Sequence, residues 1–152
     1  MRQTLIVLAA LVLMGGTPAA AEDGGVTAEE MAAALKNAGY PAEISKDRSG
    51  DPLIKSTSGT AKFGVFFYQC GGQLRCKSVQ FSAGFSQKGV KAAKLADWNR
   101  NRRFGRAYQD NVADPWVEMD IDAARGLPAE VLESNVDRWI AVLSEFQRFI
   151  TR

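Results

Sequence analysis

The sequence predicts an α+β fold, an antiparallel-rich sheet with helices packed on it. Two observations predict it. Segments with helical apolar spacing stand near the start, in the middle and at the end of the chain. Between them run segments with strand-like apolar patterns, joined by short runs of turn formers. Strands that follow one another without an intervening helix pair as hairpins, and the helices then cover the sheet. The element order reads α-β-β-β-β-α-β-β-α.

Before the first element stands an export signal. Arg2 gives a short basic start, and Leu5 to Met14 is an unbroken apolar run. Gly15, Gly16 and Pro18 break it, and Ala19-Ala20-Ala21 supplies small residues for cleavage. A spanning helix needs about 20 apolar residues, and no other stretch approaches that length. Residues 1–21 therefore read as a cleaved signal peptide and residues 22–152 as one mature domain that does not span a membrane. The expected destination is the periplasm.

Thr27-Ala28-Glu29-Glu30 is a capping box that opens the first helix, about Ala28 to Ala38. Gly39 then fits the left-handed end position. Tyr40 to Ser45 reads as a short strand, followed by the turn-rich run 46–51 and a second strand from Pro52 to Ser58. Ala61 to Cys70 is the third. It is apolar on both faces, with Phe63, Val65 and Phe67 on one and Phe66 and Tyr68 on the other. That pattern predicts a central strand covered on both sides. The fourth strand, about Leu74 to Phe85, alternates. A second helix, roughly Val90 to Asn101, leads into a hairpin of Phe104 to Asp110 and Pro115 to Asp122. In the last helix Leu132, Val136, Trp139, Leu143, Phe146 and Ile150 are spaced 4, 3, 4, 3, 4, one continuous apolar stripe.

The chain holds two cysteines, Cys70 and Cys76. If the five residues between them form the hairpin loop, the two face each other across adjacent strands. An even count in an exported chain favours a disulfide. A structural staple is the reading adopted. A redox pair would more naturally use Cys-x-x-Cys, and free thiols are the remaining reading.

The chain contains no histidine. A Ser-His-Asp triad and a Cys-His pair are therefore excluded, and the commonest metal ligand is missing. No cofactor is expected. Glu118, Asp120 and Asp122 on one strand face are the only candidates for acid–base hydrolysis, a reading ranked last. The formal net charge of +2 gives no reason to expect a nucleic-acid partner.

The densest feature runs from Trp98 to Tyr108, where four arginines and three aromatics lie within eleven residues. These residue types are enriched at interface hot spots. Trp98, Arg102, Arg103, Phe104, Arg106 and Tyr108, with Trp116 of the next strand, are the candidate interaction residues. The competing expectation is a helix–strand corner. Trp98 and Phe104 would then be core, and the arginines would pair with Glu118 and Asp120.

The same stretch carries a family resemblance. WNRNRRFGRAY followed by DPWVEMDID, with TAEEMAAALKNAGYPAEI, FGVFFYQC and SVQFSAGF, resembles the YbjN family of bacterial sensory transduction regulators. The likeness covers about Val26 to Ile150, and the chain looks like an exported branch of that family. The resemblance implies a curved antiparallel sheet carrying helices, similar to type III secretion chaperones, and no catalytic residues. The expected function is non-enzymatic: a periplasmic protein-binding or chaperone-like module, regulatory in envelope stress. Homodimerisation through a helix or a sheet edge is a further expectation. The alternative is a small-ligand sensor with a pocket between helix and sheet, lined by Phe63, Phe67 and Trp139.

Overall fold

The computed structural model describes residues 24–152. The predicted signal peptide and its cleavage point lie outside the described residues. The chain enters at Val26, which pairs as a single bridge with Cys76. Helix α1 (Ala28–Asn37) follows. Its capping box forms as the sequence predicts: the Thr27 hydroxyl accepts from the Glu30 amide at 3.2 Å, and the Thr27 amide donates to the Glu30 carboxylate at 2.9 Å. At the other end Gly39 sits at φ +86°. The Tyr40 amide reaches Leu35 and the Gly39 amide reaches Lys36, a pair of bonds that only a left-handed residue permits.

Strands β1 (Glu43–Lys46), β2 (Pro52–Ser58), β3 (Ala61–Cys70) and β4 (Cys76–Gly84) form a meander. Helix α2 (Ala92–Asn101) leads to β5 (Arg106–Gln109) and β6 (Pro115–Asp122), and α3 (Ala129–Thr151) closes the chain. The sheet has six strands in the order β1-β2-β3-β4-β6-β5, antiparallel throughout. β1 begins later than the sequence suggests, because the Tyr40 amide is used to end α1. β4 also begins later, because residues 72–74 form a single 3₁₀ turn.

All the helices contribute to one core. Phe63, Val65, Phe67, Val79, Phe81, Val117, Met119 and Ile121 point to that side of the sheet. They meet the α3 stripe that the sequence predicts, and Leu132, Val136, Trp139, Leu143, Phe146 and Ile150 are all buried.

Two expectations are overturned here. β3 is not covered on both sides: Phe66 is half-buried and Tyr68 exposed, on a sheet face that carries no helix among the described residues. Nor do Phe63, Phe67 and Trp139 line a pocket between helix and sheet. Phe63 and Phe81 lie 5.8 and 5.5 Å from Trp139, ring centroid to ring centroid, and Phe67 is fully buried. Aromatic rings at such separations pack against one another and leave that volume filled.

Candidate binding site on the open face of the sheet

Residues that alternate with the core set face away from the helices: Leu53 and Lys55 on β2, Gly64 and Phe66 on β3, Ser82 and Gly84 on β4, Trp116 and Glu118 on β6. All of these but Glu118 line an open groove of about 730 Å³ whose surface is mostly apolar. Two glycines make its floor. A Cβ on Gly64 would stand 2.8 Å from the Phe66 ring, and one on Gly84 would clash with the face of the Trp116 indole. The missing side chains let these two aromatics fold down over the strands, and Leu53 stands beside Phe66. Lys55, Lys62 and Glu43 complete the rim.

Beyond Trp116 the face is polar and ordered. Glu118 is 8% exposed, a depth at which a carboxylate must be paired. Arg106 donates to it at 2.6 Å and the Tyr108 hydroxyl at 2.7 Å; Ser82 lies at 3.5 Å. Burial, and then the bond to Glu118, push the Tyr108 phenol up to about 12. Tyr108 stacks on Trp116 at 6.4 Å, and the Trp116 indole donates to Asp110. The amide of Asp114 is the main cause that holds Asp110 below the ordinary carboxylate range. Trp116 is thus braced by a ring on one side and a carboxylate at its edge.

The acidic strand face does not assemble a hydrolytic pair. Glu118 is taken by Arg106 and Tyr108, Asp120 accepts from Gln80 at 2.8 Å, and Asp122 accepts from the Ala124 amide at 2.9 Å. Each carboxylate serves a different neighbour. The expected pairing of an arginine with Glu118 forms. Gln80 takes the place of an arginine beside Asp120, since it stands opposite Asp120 in the ladder.

The candidate interaction residues are divided among three places. Trp98 is core, 1% exposed, and donates to the Gly105 carbonyl at 2.9 Å. On the open sheet face Trp116 walls the groove, and Arg106 and Tyr108 lie beside it. Arg102, Arg103 and Phe104 lie on the helix side, where Arg102 meets Glu145 of α3 at 2.6 Å. Phe104 is not core as expected. It is 55% exposed, at φ +71°, with the guanidinium groups of Arg103 and Arg138 5.0 and 4.7 Å from its ring centre. The groove itself was missed from sequence. Its signals were there, in the second apolar face of β3 and in Gly64 and Gly84, each an odd residue for a strand interior.

Cys70 and Cys76 are joined in a disulfide and stand opposite each other in the β3–β4 ladder. The same hairpin tip holds the chain's entry point. Arg75 donates to the Gly25 carbonyl at 2.7 Å and meets Glu30 at 3.0 Å, so the staple, the capping box and the Val26 bridge form one unit.

The described residues form an open antiparallel α+β sheet with one face free of helices. The family model described as "Putative bacterial sensory transduction regulator" matches residues 27–152, and the chain belongs to this family, YbjN. No curated protein and no solved structure matches the chain. No helix among the described residues is long and apolar enough to cross a membrane.

Proposed function

We infer that the protein is a non-enzymatic binding module of the periplasm that holds an extended or unfolded polypeptide against the open face of its sheet, in a regulatory or chaperone-like role. The observation that carries this reading is the groove: apolar, open to solvent, floored by two glycines and walled by Leu53, Phe66 and Trp116. An open trough suits a chain that enters and leaves at both ends. A small-molecule site instead encloses most of its ligand. The step from chaperone-like architecture to polypeptide binding is one of analogy; the groove supplies the site-level argument. The regulator family and the disulfide are both compatible with such a role in the cell envelope.

A labelled, permanently unfolded polypeptide, reduced and carboxymethylated, tests this by fluorescence anisotropy. Leu53→Glu and Phe66→Ser alter the groove wall at half-exposed positions where the fold tolerates change. Each should weaken binding about tenfold, the effect of losing roughly 1.4 kcal/mol of contact. Phe104→Ser, on the other side of the molecule, should leave the affinity unchanged. No binding by the wild type, or equal binding by the groove variants, contradicts the reading.

A further inference from the structure

A second concave site lies on the helix side, where α2 meets the C-terminal end of α3. Lys94, Arg102, Arg148 and Arg152 line a hollow of about 480 Å³ together with Glu145 and Phe149. Glu145 is already taken by Arg102. Lys94 is half-buried, with its ammonium 5.3 Å from the centre of the Phe149 ring. Among the described residues no carboxylate lies within ion-pair distance of Lys94, Arg148 or Arg152. An adjoining hollow of about 410 Å³ shares Lys94 and Arg152 and adds Lys91 and Lys88, the latter already paired with Asp114 at 2.7 Å.

Helix stability accounts for only part of this concentration of charge. The dipole favours Arg148 in the last turn of α3 and Arg152 at its C-cap, but their like charges stand one turn apart. Lys91 and Lys94 are at the opposite kind of end. They stand at the start of α2, where the dipole favours acids, and the first turn there has none. An anion in the hollow would offset the charges of Lys94, Arg148 and Arg152 together.

We propose that this hollow binds a phosphate-bearing ligand, with the phosphate among Lys94, Arg148 and Arg152 and an apolar part of the ligand against Phe149. Two planar guanidinium forks and one ammonium match the several charged oxygens of a phosphate monoester. A single carboxylate would leave most of that positive charge unbalanced. The phosphate can come from a soluble ester or from the headgroup of an anionic lipid.

Two probes tell these sources apart, both used with the mature chain at low ionic strength. Phenyl phosphate is titrated by calorimetry. Phosphatidylcholine vesicles with and without phosphatidic acid are used in co-sedimentation. The wild type should bind at least one probe saturably, and added salt should weaken that binding. Binding of phenyl phosphate alone assigns a soluble ester, binding of the acidic vesicles alone assigns a lipid, and binding of both supports the shared phosphate chemistry. The Lys94→Gln/Arg148→Gln pair should lose about tenfold or more in affinity, the scale of charge-assisted hydrogen bonds. Arg152→Gln, at the last position, should shift in the same direction with little risk to the fold. Lys62→Gln, on the rim of the sheet groove, should have no effect. Saturable binding of neither probe, or binding undiminished in the variant pair, would overturn the proposal. Polypeptide binding at the sheet groove should survive the same variants, so the two sites fail separately.

Discussion

Trp98 and Phe104 are close in sequence and end in opposite surroundings, for reasons that lie in the residue after Phe104. A Cβ on Gly105 would come 2.6 Å from Val142 of α3. The backbone is pressed against that helix, and its carbonyl takes the Trp98 indole proton. The left-handed step at Phe104 that makes this approach turns the phenyl ring outward, onto Arg103 and Arg138. Sequence shows two aromatics near a helix end and cannot rank them, because the deciding contact is with α3, far along the chain. Trp98 also meets Phe146 and Phe149 at 5.0 and 5.3 Å. Trp98→Ala should therefore cost about 3–5 kcal/mol in urea denaturation, and Phe104→Ala, at an exposed site, far less. Tyr108 gives a pH prediction. Its folded pKa of about 12 lies above the ordinary tyrosine value of 10.0, so folding favours the neutral phenol. That contribution is complete below pH about 10 and is lost as pH rises through about 12. The stability gap between wild type and Tyr108→Phe, followed by denaturation at stepped pH, should be flat below the lower value and shrink across the window.

Among the elements, α3 and β6 were the most legible, because each carries one unambiguous period. The α3 stripe buries as its 4-3 spacing predicts, and β6 sends Val117, Met119 and Ile121 to the core. β3 misled because apolar residues on both faces have two physical meanings, a strand buried between layers or a strand with one face kept for binding. β5 shows a device that periodicity cannot reveal. The Asn99 side chain of α2 donates to the Ala107 carbonyl and accepts from the Ala107 amide, at 2.9 and 2.8 Å. A helix side chain thus occupies the outer edge of β5, where another strand would otherwise pair. The Cys70–Cys76 pair was legible from the even cysteine count and the length of the hairpin loop between them. Its ring is short, so Cys70→Ser/Cys76→Ser should cost only roughly 2 kcal/mol. Thermal or urea denaturation should show a modest loss with the sheet intact; complete unfolding of that variant would mean the hairpin tip and the α1 entry depend wholly on the staple.

At the scale of the molecule, the fold separates its two faces by role. Among the described residues, six strands and three helices put the large apolar residues on one side, and α3 seals them. The opposite side keeps a glycine-floored apolar groove next to the ordered Glu118 network. Sequence reasoning reached the element order and the family, since both follow from local pattern. It did not reach the groove, whose walls come from β2, β3 and β6 and meet only through strand register. The chain's three tryptophans report on this division: Trp98 and Trp139 are core, and Trp116 is the groove wall. The most direct measurement is a titration of ¹⁵N-labelled residues 22–152 with a permanently unfolded polypeptide, following the three indole N–H signals and assigning Trp116 by its loss in Trp116→Phe. The Trp116 signal should move with saturation while those of Trp98 and Trp139 stay in place. A stationary Trp116 signal in a sample that binds the polypeptide would contradict the account.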